Sequence, residues 1–376
     1  MSNLLKVKTD FLQIDSLSLH SGKTLSPVNI AYETYGELNK NKNNAILVFH
    51  ALSGSQHAAG LNKFAPSEFW SEENHVGWWD EFIGPGKIID TNKFFVICGN
   101  CLGGCYGSTG PSSINLKTKK PYGGSFPKLT LTDLVYAQKK LVDHFGIATL
   151  HAVIGGSLGG MEALEYMLHY PVNKIISIGS CARMSTLNKI MNFEQIFAIE
   201  EDHDFNKGDY YDGNPPVKGL QLARMIAHKT YVDVVSLEQR ARGEIIQEES
   251  DLKLYELMHR IESYMLHQGK KFVKRFDANT YLWIVQAIQS FNLARQYGNG
   301  DLKKAFARLT GKQINILIIS ISSDVSFYPE EQQEIVEALN HNKIPNTYVM
   351  VGSDKGHDSF LLEPEKYLSI REFLEN

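Results

Sequence analysis

The sequence predicts a layered α/β fold with a mostly parallel central sheet that is flanked by helices and interrupted by a helical insertion. Short, nearly continuous apolar runs recur along the chain, which is typical of strands covered on both faces. Helical patterns separate several of these runs, and a strand–helix–strand order requires a crossover between parallel strands. The strand pattern stops after about residue 183 and returns near residue 314. These three observations predict one α/β unit divided by an insertion.

The predicted strands come from both ends of the chain. Each is rich in apolar and β-branched residues, and they span 45–50, 94–98, 150–154, 174–178, 314–322 and 346–352. A helix is predicted between the second and third strands, because Thr130 and Asp133 fit a capping box and Gly146 fits a C-cap. A later helix begins at Pro329, since proline suits a first helical turn. Residues 362–376 are predicted to form a closing helix.

The insertion is predicted to be helical. Between residues 183 and 300, long polar–apolar stretches with helical spacing replace the strand pattern, for example at 252–276. We therefore divide the chain into an α/β core of residues 1–182 and 301–376 and a helical insertion of residues 183–300.

Composition excludes several classes of protein. The 376 residues are 43% hydrophobic and 21% charged, as in a soluble globular enzyme with a sizeable core. The 38 basic and 42 acidic residues give a net charge of −4, which argues against nucleic-acid or anionic-membrane partners. The sequence has no apolar run of membrane-spanning length, and its N-terminus has no secretory pattern. We therefore expect a cytoplasmic protein.

Three of the four cysteines, Cys98, Cys101 and Cys105, lie close together in the segment VICGNCLGGCYG. Three thiolates are able to hold a metal ion or an iron–sulfur cluster. However, no fourth Cys or His lies nearby, and Cys98 ends an apolar run that is typical of a buried strand. Because free cysteine is commonly buried as a small hydrophobic residue, we expect no metal site, and the role of these cysteines stays open.

The segment HAVIGGSLGGMEALEYM carries the clearest catalytic motif. Gly155, Ser157 and Gly159 satisfy G-x-S-x-G, in which a tight strand-to-helix turn lifts a serine hydroxyl above the sheet. This pattern, with its three fixed residues, also arises by chance in a glycine-containing chain. Here an apolar strand precedes it and an amphipathic helix follows, so the context favours a nucleophile over an incidental serine in a strand–helix connection.

A serine nucleophile needs a base, and the base needs an orienting group. In the α/β-hydrolase arrangement the acid and then the histidine follow the serine, each just after a later strand. Asp324 and His357 follow the last two predicted strands, so we predict a triad of Ser157, Asp324 and His357. Asp354 and Asp358 flank the histidine on its own loop, where a carboxylate rarely reaches the imidazole in the required manner.

Acyl transfer also needs hydrogen-bond donors for the tetrahedral oxyanion. One donor is usually the backbone N–H after the nucleophile, here that of Leu158. The other usually comes from the loop after an early strand, and the loop FHALSGS makes the N–H of Leu52 the candidate. By position alone, an ordinary connection is an equally good interpretation of this loop.

Seven segments together closely resemble the homoserine O-acetyltransferases, α/β-hydrolase-fold enzymes of methionine biosynthesis. The segments are HALSGSQH, NCLGGCYGSTGPSS, YGGSFPKLTLTD, VIGGSLGGMEALEY, GLQLARMIAHKTY, SSDVSFYP and GHDSFL. The resemblance runs in order over most of the chain and is weakest in the insertion. Leu158 and Ser53 stand where Met and Thr are common in the family, and both positions are expected to contribute backbone rather than side chain.

The resemblance implies a ping-pong reaction. Ser157 accepts an acetyl group from acetyl-CoA, and L-homoserine then takes it, with His357 as the base. Arg224 is implied to hold the substrate carboxylate, and Tyr231 and Asp358 to lie near the acceptor, with Asp358 facing its ammonium group. The insertion is implied to be a helical lid that roofs a tunnel and forms a homodimer contact. No permanently bound cofactor is implied, because acetyl-CoA is a substrate.

Several other functions stay open. The elbow and triad alone predict only acyl-enzyme chemistry, so a serine esterase or hydrolase is the first alternative. A non-catalytic scaffold of the same fold is the second, although the complete triad argues against it. Within the resembled family, a homoserine O-succinyltransferase or a serine O-acetyltransferase remains possible, because close motifs accompany different donor and acceptor preferences.

Overall fold

The computed structural model describes residues 4–65, 67–242, 252 and 254–376 of the chain. Within these ranges the central sheet has eight strands: β1 (Asp10–Ile14), β2 (Val28–Tyr35), β3 (Ala45–Phe49), β4 (Phe95–Gly99), β5 (Leu150–Gly156), β6 (Val172–Ile178), β7 (Asn315–Ile321) and β8 (Asn346–Val351). Their spatial order is β1-β2-β4-β3-β5-β6-β7-β8. Strand β2 is antiparallel to β1 and β4, and all other neighbouring pairs are parallel. The sheet is therefore mostly parallel, as the sequence predicts.

Helices cover both faces of this sheet and also form the insertion. Within the described residues they are α1 (Leu131–His144), α2 (Leu158–His169), α3 (Thr186–Glu200), α4 (Val217–Tyr231), α5 (Val234–Arg242), α6 (Arg260–Val273), α7 (Ala278–Ser290), α8 (Leu293–Gly298), α9 (Leu302–Phe306), α10 (Pro329–His341), α11 (Ser359–Leu362) and α12 (Leu368–Glu375). Helix α1 begins at the predicted capping box, in which the Thr130 hydroxyl accepts from the Asp133 N–H. Gly146 follows the helix with a φ of +66°, a conformation that suits glycine.

The apolar core has two layers, one on each side of the sheet. Alternate residues of a strand belong to different layers, as Leu47 and Val48 of β3 illustrate, because successive side chains of a strand point to opposite faces. The first layer includes α1, α2 and α10 and continues into the insertion, and the second includes α12. The central strands are covered on both sides, which explains their continuous apolar sequences.

Helices α3–α8 form the insertion and follow the sixth strand of the sheet. Tyr281, Trp283 and other buried residues of α7 join the apolar layer of the core. The predicted helical content is present in the described part of this region, while residues 243–251 and 253 lie outside it. The division at residues 183 and 300 stays a prediction.

The structure corrects the sequence prediction in three places. Strands β1 and β2 precede the first predicted strand and were missed, because β1 is largely exposed and β2 includes polar residues such as Glu33. The helix expected over 252–276 begins only at Arg260. The closing helix is divided at Tyr367, because a short 3₁₀ turn starting at Pro364 precedes α12.

Candidate active site

Ser157 occupies a sharp turn between β5 and α2. Its backbone has φ +58° and ψ −123°, a conformation that non-glycine residues rarely adopt and that is characteristic of functional sites. The turn also brings backbones together, since a Cβ added at Gly155 would lie 2.3 Å from the carbonyl carbon of Gly159. A Cβ added at Gly159 would lie 2.3 Å from the carbonyl oxygen of Phe49. The glycines of the motif are therefore required by packing, and the serine stands at the carboxyl end of β5.

The carboxyl ends of β7 and β8 bring Asp324 and His357 together. Asp324 Oδ2 lies 2.7 Å from His357 Nδ1, and both side chains are buried. The second carboxylate oxygen, Oδ1, accepts the backbone N–H groups of Ser326 at 2.8 Å and Phe327 at 2.9 Å. These bonds fix the carboxylate, which in turn orients the imidazole.

The environment of His357 makes it a stronger base than an ordinary histidine. Burial lowers its pKa, but the charge of Asp324 and the hydrogen bond to it outweigh burial, so that the pKa is raised above its usual value. The nearby charge of Asp358 acts in the same direction. With Nδ1–H held by Asp324, the unprotonated Nε2 is the atom available as a general base.

Ser157 and His357 line the same cavity, which has a volume of about 260 Å³. The other lining residues come from the loop after β3, the segment before β4, the insertion and the segment after β8: Ala51, Leu52, Ser53, Gly54, Ser55, His57, Glu73, Asn74, Val76, Trp78, Arg224, Tyr231, Arg275, Asp358, Phe360 and Leu361. The insertion thus contributes part of the wall around the nucleophile. The cavity gives a substrate access to Ser157 and surrounds it with side chains of the α/β core and of the insertion.

The two predicted oxyanion donors lie at suitable places in the chain. Leu158 is the first residue of α2, so its N–H has no partner within the helix. Leu52 lines the cavity in the loop after β3. The preceding His50 is buried, accepts the Cys101 N–H at Nε2 over 3.0 Å and donates from Nδ1 to the Ala51 carbonyl over 2.8 Å. Burial lowers the pKa of His50 to about 4, so it is a neutral support for this loop.

The three residues implied by resemblance to contact the acceptor all line the cavity. Arg224 lies on α4, with its guanidinium carbon 5.1 Å from the ring centre of Tyr231 and 4.8 Å from that of Phe272. Among the residues that the structure describes, no carboxylate forms an ion pair with Arg224. Tyr231 ends the same helix, its ring centre 6.1 Å from that of His357. Asp358 directly follows the histidine.

Arg275 and His57 are among the further polar residues of the cavity that were not found from the sequence. Arg275 donates to the Ser53 carbonyl oxygen over 3.3 Å and packs on Phe272, and its Nε lies 3.7 Å from a carboxylate oxygen of Glu73. Its sequence context, KKFVKRF, is typical of a solvated helix end and gave no indication of this role. His57 belongs to the quoted segment HALSGSQH, but nothing in the sequence distinguished it from a loop histidine.

The described cysteines are packing residues in this structure. Cys98, Cys101, Cys105 and Cys181 are buried and unpaired, and burial raises the pKa of each thiol. Cys98 lies on β4, as its apolar context predicts. Over the described ranges, no three His, Cys, Asp or Glu side chains are grouped as metal ligands. Nor does any helix in those ranges combine the length and apolar character needed to span a bilayer.

The fold and this arrangement define the α/β-hydrolase class. A family model described as alpha/beta hydrolase fold matches residues 44–364, which confirms the predicted fold class. A homoserine O-acetyltransferase of Methanococcus vannielii is 48% identical over 352 residues, covering 93% of this chain and 68% of that protein. The crystal structure of homoserine O-acetyltransferase from Bacillus anthracis superposes with a TM-score of 0.88 at 29% identity, covering 99% of each chain.

The chain belongs to the homoserine O-acetyltransferase family, and it is an acyltransferase. The resemblance identified from the sequence is thereby confirmed. Other activities occur among similar proteins. A homoserine O-succinyltransferase of Bordetella pertussis is 44% identical over 367 residues, covering 96% of this chain and 86% of that protein. An esterase structure has a TM-score of 0.86 at 30% identity, covering 98% of this chain and 100% of that one.

Proposed function

We propose that this protein transfers the acetyl group of acetyl-CoA to the hydroxyl of L-homoserine, forming O-acetyl-L-homoserine for methionine biosynthesis. The observation that carries the proposal is the 2.7 Å contact between Asp324 and His357, because His357 lines the same cavity as Ser157. Family membership supports this donor and acceptor over the alternatives. Acetyl-CoA is a substrate here, and no permanently bound cofactor is proposed.

In the first half-reaction Ser157 Oγ attacks the thioester carbonyl while His357 Nε2 takes the hydroxyl proton. The tetrahedral oxyanion receives the N–H groups of Leu52 and Leu158. When the C–S bond breaks, His357 returns the proton to the sulfur, so that CoA leaves as a thiol and the acetyl ester of Ser157 remains. Asp324 stays ionised throughout and stabilises the imidazolium that forms transiently.

In the second half-reaction His357 takes the proton of the homoserine hydroxyl, whose oxygen attacks the acetyl ester. Collapse of the second tetrahedral intermediate breaks the bond to Ser157 Oγ, which recovers its proton from His357. Arg224 binds the substrate carboxylate, because a guanidinium matches it with two parallel hydrogen bonds. Asp358 faces the ammonium group, and Tyr231 borders the acceptor on the side of Arg224.

The side chains around the cavity also limit hydrolysis, because water competes with homoserine for the acyl-enzyme. Arg224 and Tyr231, from the insertion, line the cavity beside His357. This arrangement supports an insertion that acts as a lid over the acyl-enzyme.

We further propose a homodimer that forms through the insertion and acts in the cytoplasm. Helix α3 exposes apolar side chains at helical spacing, Leu187, Ile190, Phe193 and Phe197, with exposed fractions of 47, 49, 61 and 54%. Such a stripe is typical of an interaction surface. In a reducing cytoplasm the four unpaired cysteines remain thiols.

The experiment that tests the function is a product assay resolved by mass. Purified protein is given acetyl-CoA or succinyl-CoA with L-homoserine, L-serine or water as acceptor. The proposal expects O-acetyl-L-homoserine as the main product and slow CoA release without an amino-acid acceptor. Preference for succinyl-CoA or for L-serine assigns the corresponding sister activity, and equal CoA release with and without homoserine assigns an esterase.

A further inference from the structure

A second buried histidine–carboxylate pair lies behind the cavity that contains Ser157. His57 follows the loop of Leu52 and lines the cavity, and its Nδ1 is 2.7 Å from Oε2 of Glu33 on β2. Both residues are 1% exposed. Charged side chains are almost never fully buried unless they are paired. The reaction described above gives this pair no role.

The contacts of Glu33 show that its carboxyl group is ionised. Besides His57, it accepts the Tyr35 hydroxyl over 2.9 Å, the Thr9 hydroxyl over 2.8 Å and the Asn62 side-chain amide over 2.8 Å. A carboxylate accepts such a set of donors better than a protonated acid does. Burial raises the pKa of Glu33, but the hydrogen bonds from His57, Asn62 and Thr9 and the charge of His57 lower it overall.

Each ring nitrogen of His57 faces a hydrogen-bond acceptor. Nδ1 faces the Glu33 carboxylate, and Nε2 lies 3.1 Å from the carbonyl oxygen of His75. Both partners are acceptors, and a neutral imidazole has only one N–H. A neutral ring would therefore oppose a nitrogen lone pair to an oxygen lone pair, whereas an imidazolium satisfies both contacts.

The pair fixes the chain on the carboxyl-terminal side of the candidate oxyanion loop. Tyr35, which donates to Glu33, also accepts the N–H groups of Ala58 and Ala59 over 2.8 and 3.1 Å. On the other side of the loop, His50 is bound to the Cys101 N–H. The bond to His75 adds the segment that continues into Val76, another part of the cavity wall.

We propose that His57 is a positioning residue for acyl transfer: held as a buried imidazolium by Glu33, it fixes the loop that presents the Leu52 N–H and places a permanent positive charge beside the cavity. The inference rests on the proposed function, since a fixed donor and a nearby positive charge matter most when an oxyanion develops. His57 exchanges no proton with substrate and stays charged throughout the cycle.

The protonation state is tested first on the unmodified protein. With ¹⁵N-labelled histidine, the His57 ring is assigned by comparison with His57→Gln, and its nitrogen resonances are recorded above neutral pH, where an ordinary imidazole is neutral. Two protonated ring nitrogens are expected. A ring with one unprotonated nitrogen under these conditions overturns the proposal, whether or not any variant folds.

The effect on catalysis is tested with His57→Gln and Glu33→Gln, each checked for folding by its melting temperature. We expect acetylation of Ser157 by acetyl-CoA, followed as protein mass, to slow by up to about 100-fold, because a misplacement near 1 Å has an effect of this size. The homoserine KM is not expected to rise, because homoserine binds through residues outside the pair. His203→Gln is the matched control, since the His203 side chain is 99% exposed.

Folded variants that are acetylated at the unmodified rate overturn the proposal. A raised homoserine KM with a normal acetylation rate also overturns it, because it assigns His57 to acceptor binding. The acetylation readout keeps this test separate from the proposed function. If the unmodified enzyme becomes acetylated but does not use homoserine, the proposed acceptor is wrong while the inference about His57 is still tested.

Discussion

Asp324 Oδ2 lies 2.7 Å from His357 Nδ1, although the two residues are 33 positions apart in the chain. They meet because β7 and β8 are adjacent and parallel, so their carboxyl ends reach the same edge of the sheet. Ser157 follows β5 at this edge. The acid, the base and the candidate nucleophile are thus delivered by three different strand ends of one sheet.

Replacing Asp324 with Asn preserves the shape of the side chain but removes its charge. An amide is able to donate to Nδ1, which favours the tautomer with the proton on Nε2, where His357 is no longer a base for Ser157. We expect kcat to fall by about 10⁴-fold, as in other serine triads. The measurement is the rate of Ser157 acetylation in a single turnover. A loss below about tenfold would show that Asp324 does not orient the base.

The raised pKa of His357 predicts an acidic limit to activity. The base must be unprotonated, so kcat/KM is expected to fall as the pH drops through a value above the ordinary 6.5 of histidine. The protonated form of His357 also stabilises the fold at low pH, and this contribution is lost as the pH rises through the folded-state pKa. A pH profile of kcat/KM checks the first effect. An acidic midpoint below 6.5 contradicts the conclusion that Asp324 raises the pKa of His357 by more than burial lowers it.

The unusual backbone of Ser157 predicts a difference between two inactive variants. Ser157→Ala and Ser157→Gly both lack the hydroxyl, so neither is expected to form an acyl-enzyme. Glycine adopts φ +58° without strain, whereas alanine keeps a strain of about 1–3 kcal/mol. The free energy of unfolding of Ser157→Gly is therefore expected to exceed that of Ser157→Ala by about 1 kcal/mol, once the entropic cost of glycine is subtracted. Denaturant titration measures it, and equal stabilities would show an unstrained turn.

The central part of the fold follows from the sequence because its strands are buried on both faces. Continuous apolar runs mark β3 to β7, and the ends of these strands place Ser157 and Asp324. Strand β2 lacks such a run, since it carries Glu33 at a buried position. Hydrophobic periodicity does not distinguish a buried carboxylate from a solvated one. Strand β2 and the contact between its Glu33 and His57 were therefore both missed.

The polar residues of the cavity depend on contacts that local sequence does not encode. Arg224 was identified by family resemblance, and Arg275 was not identified. Both lie in sequence where an arginine is usually solvated. Arg224 packs against Phe272 only because α4 and α6 meet, and Arg275 reaches the cavity through its contacts with Ser53 and Glu73. Such convergence of distant segments is visible in the folded chain alone.

The exposed face of α3 predicts how a dimer would be broken. Phe193 is 61% exposed, and its ring centre lies 6.0 Å from that of Phe197. If this face is buried between two copies, Phe193→Glu introduces a charge into an apolar contact, and the dimer is expected to dissociate in sedimentation experiments. Phe64→Glu is the control, since Phe64 is 89% exposed and lies outside the insertion. A Phe193→Glu protein that sediments as a dimer excludes this interface.

Arg224→Ala is expected to separate the two half-reactions. Loss of a charge-assisted hydrogen-bonded contact costs about 1.5–3 kcal/mol, which corresponds to a homoserine KM raised by roughly 10- to 100-fold. Acetylation of Ser157 by acetyl-CoA is expected to stay within about threefold, because the carboxylate of homoserine is absent from that step. Arg308→Ala is the matched control, since Arg308 also packs over a tyrosine, its guanidinium carbon 5.1 Å from the Tyr297 ring centre, but lies outside the cavity. An unchanged homoserine KM in Arg224→Ala would remove this residue from the acceptor site, and a slowed acetylation step would assign it to the donor instead.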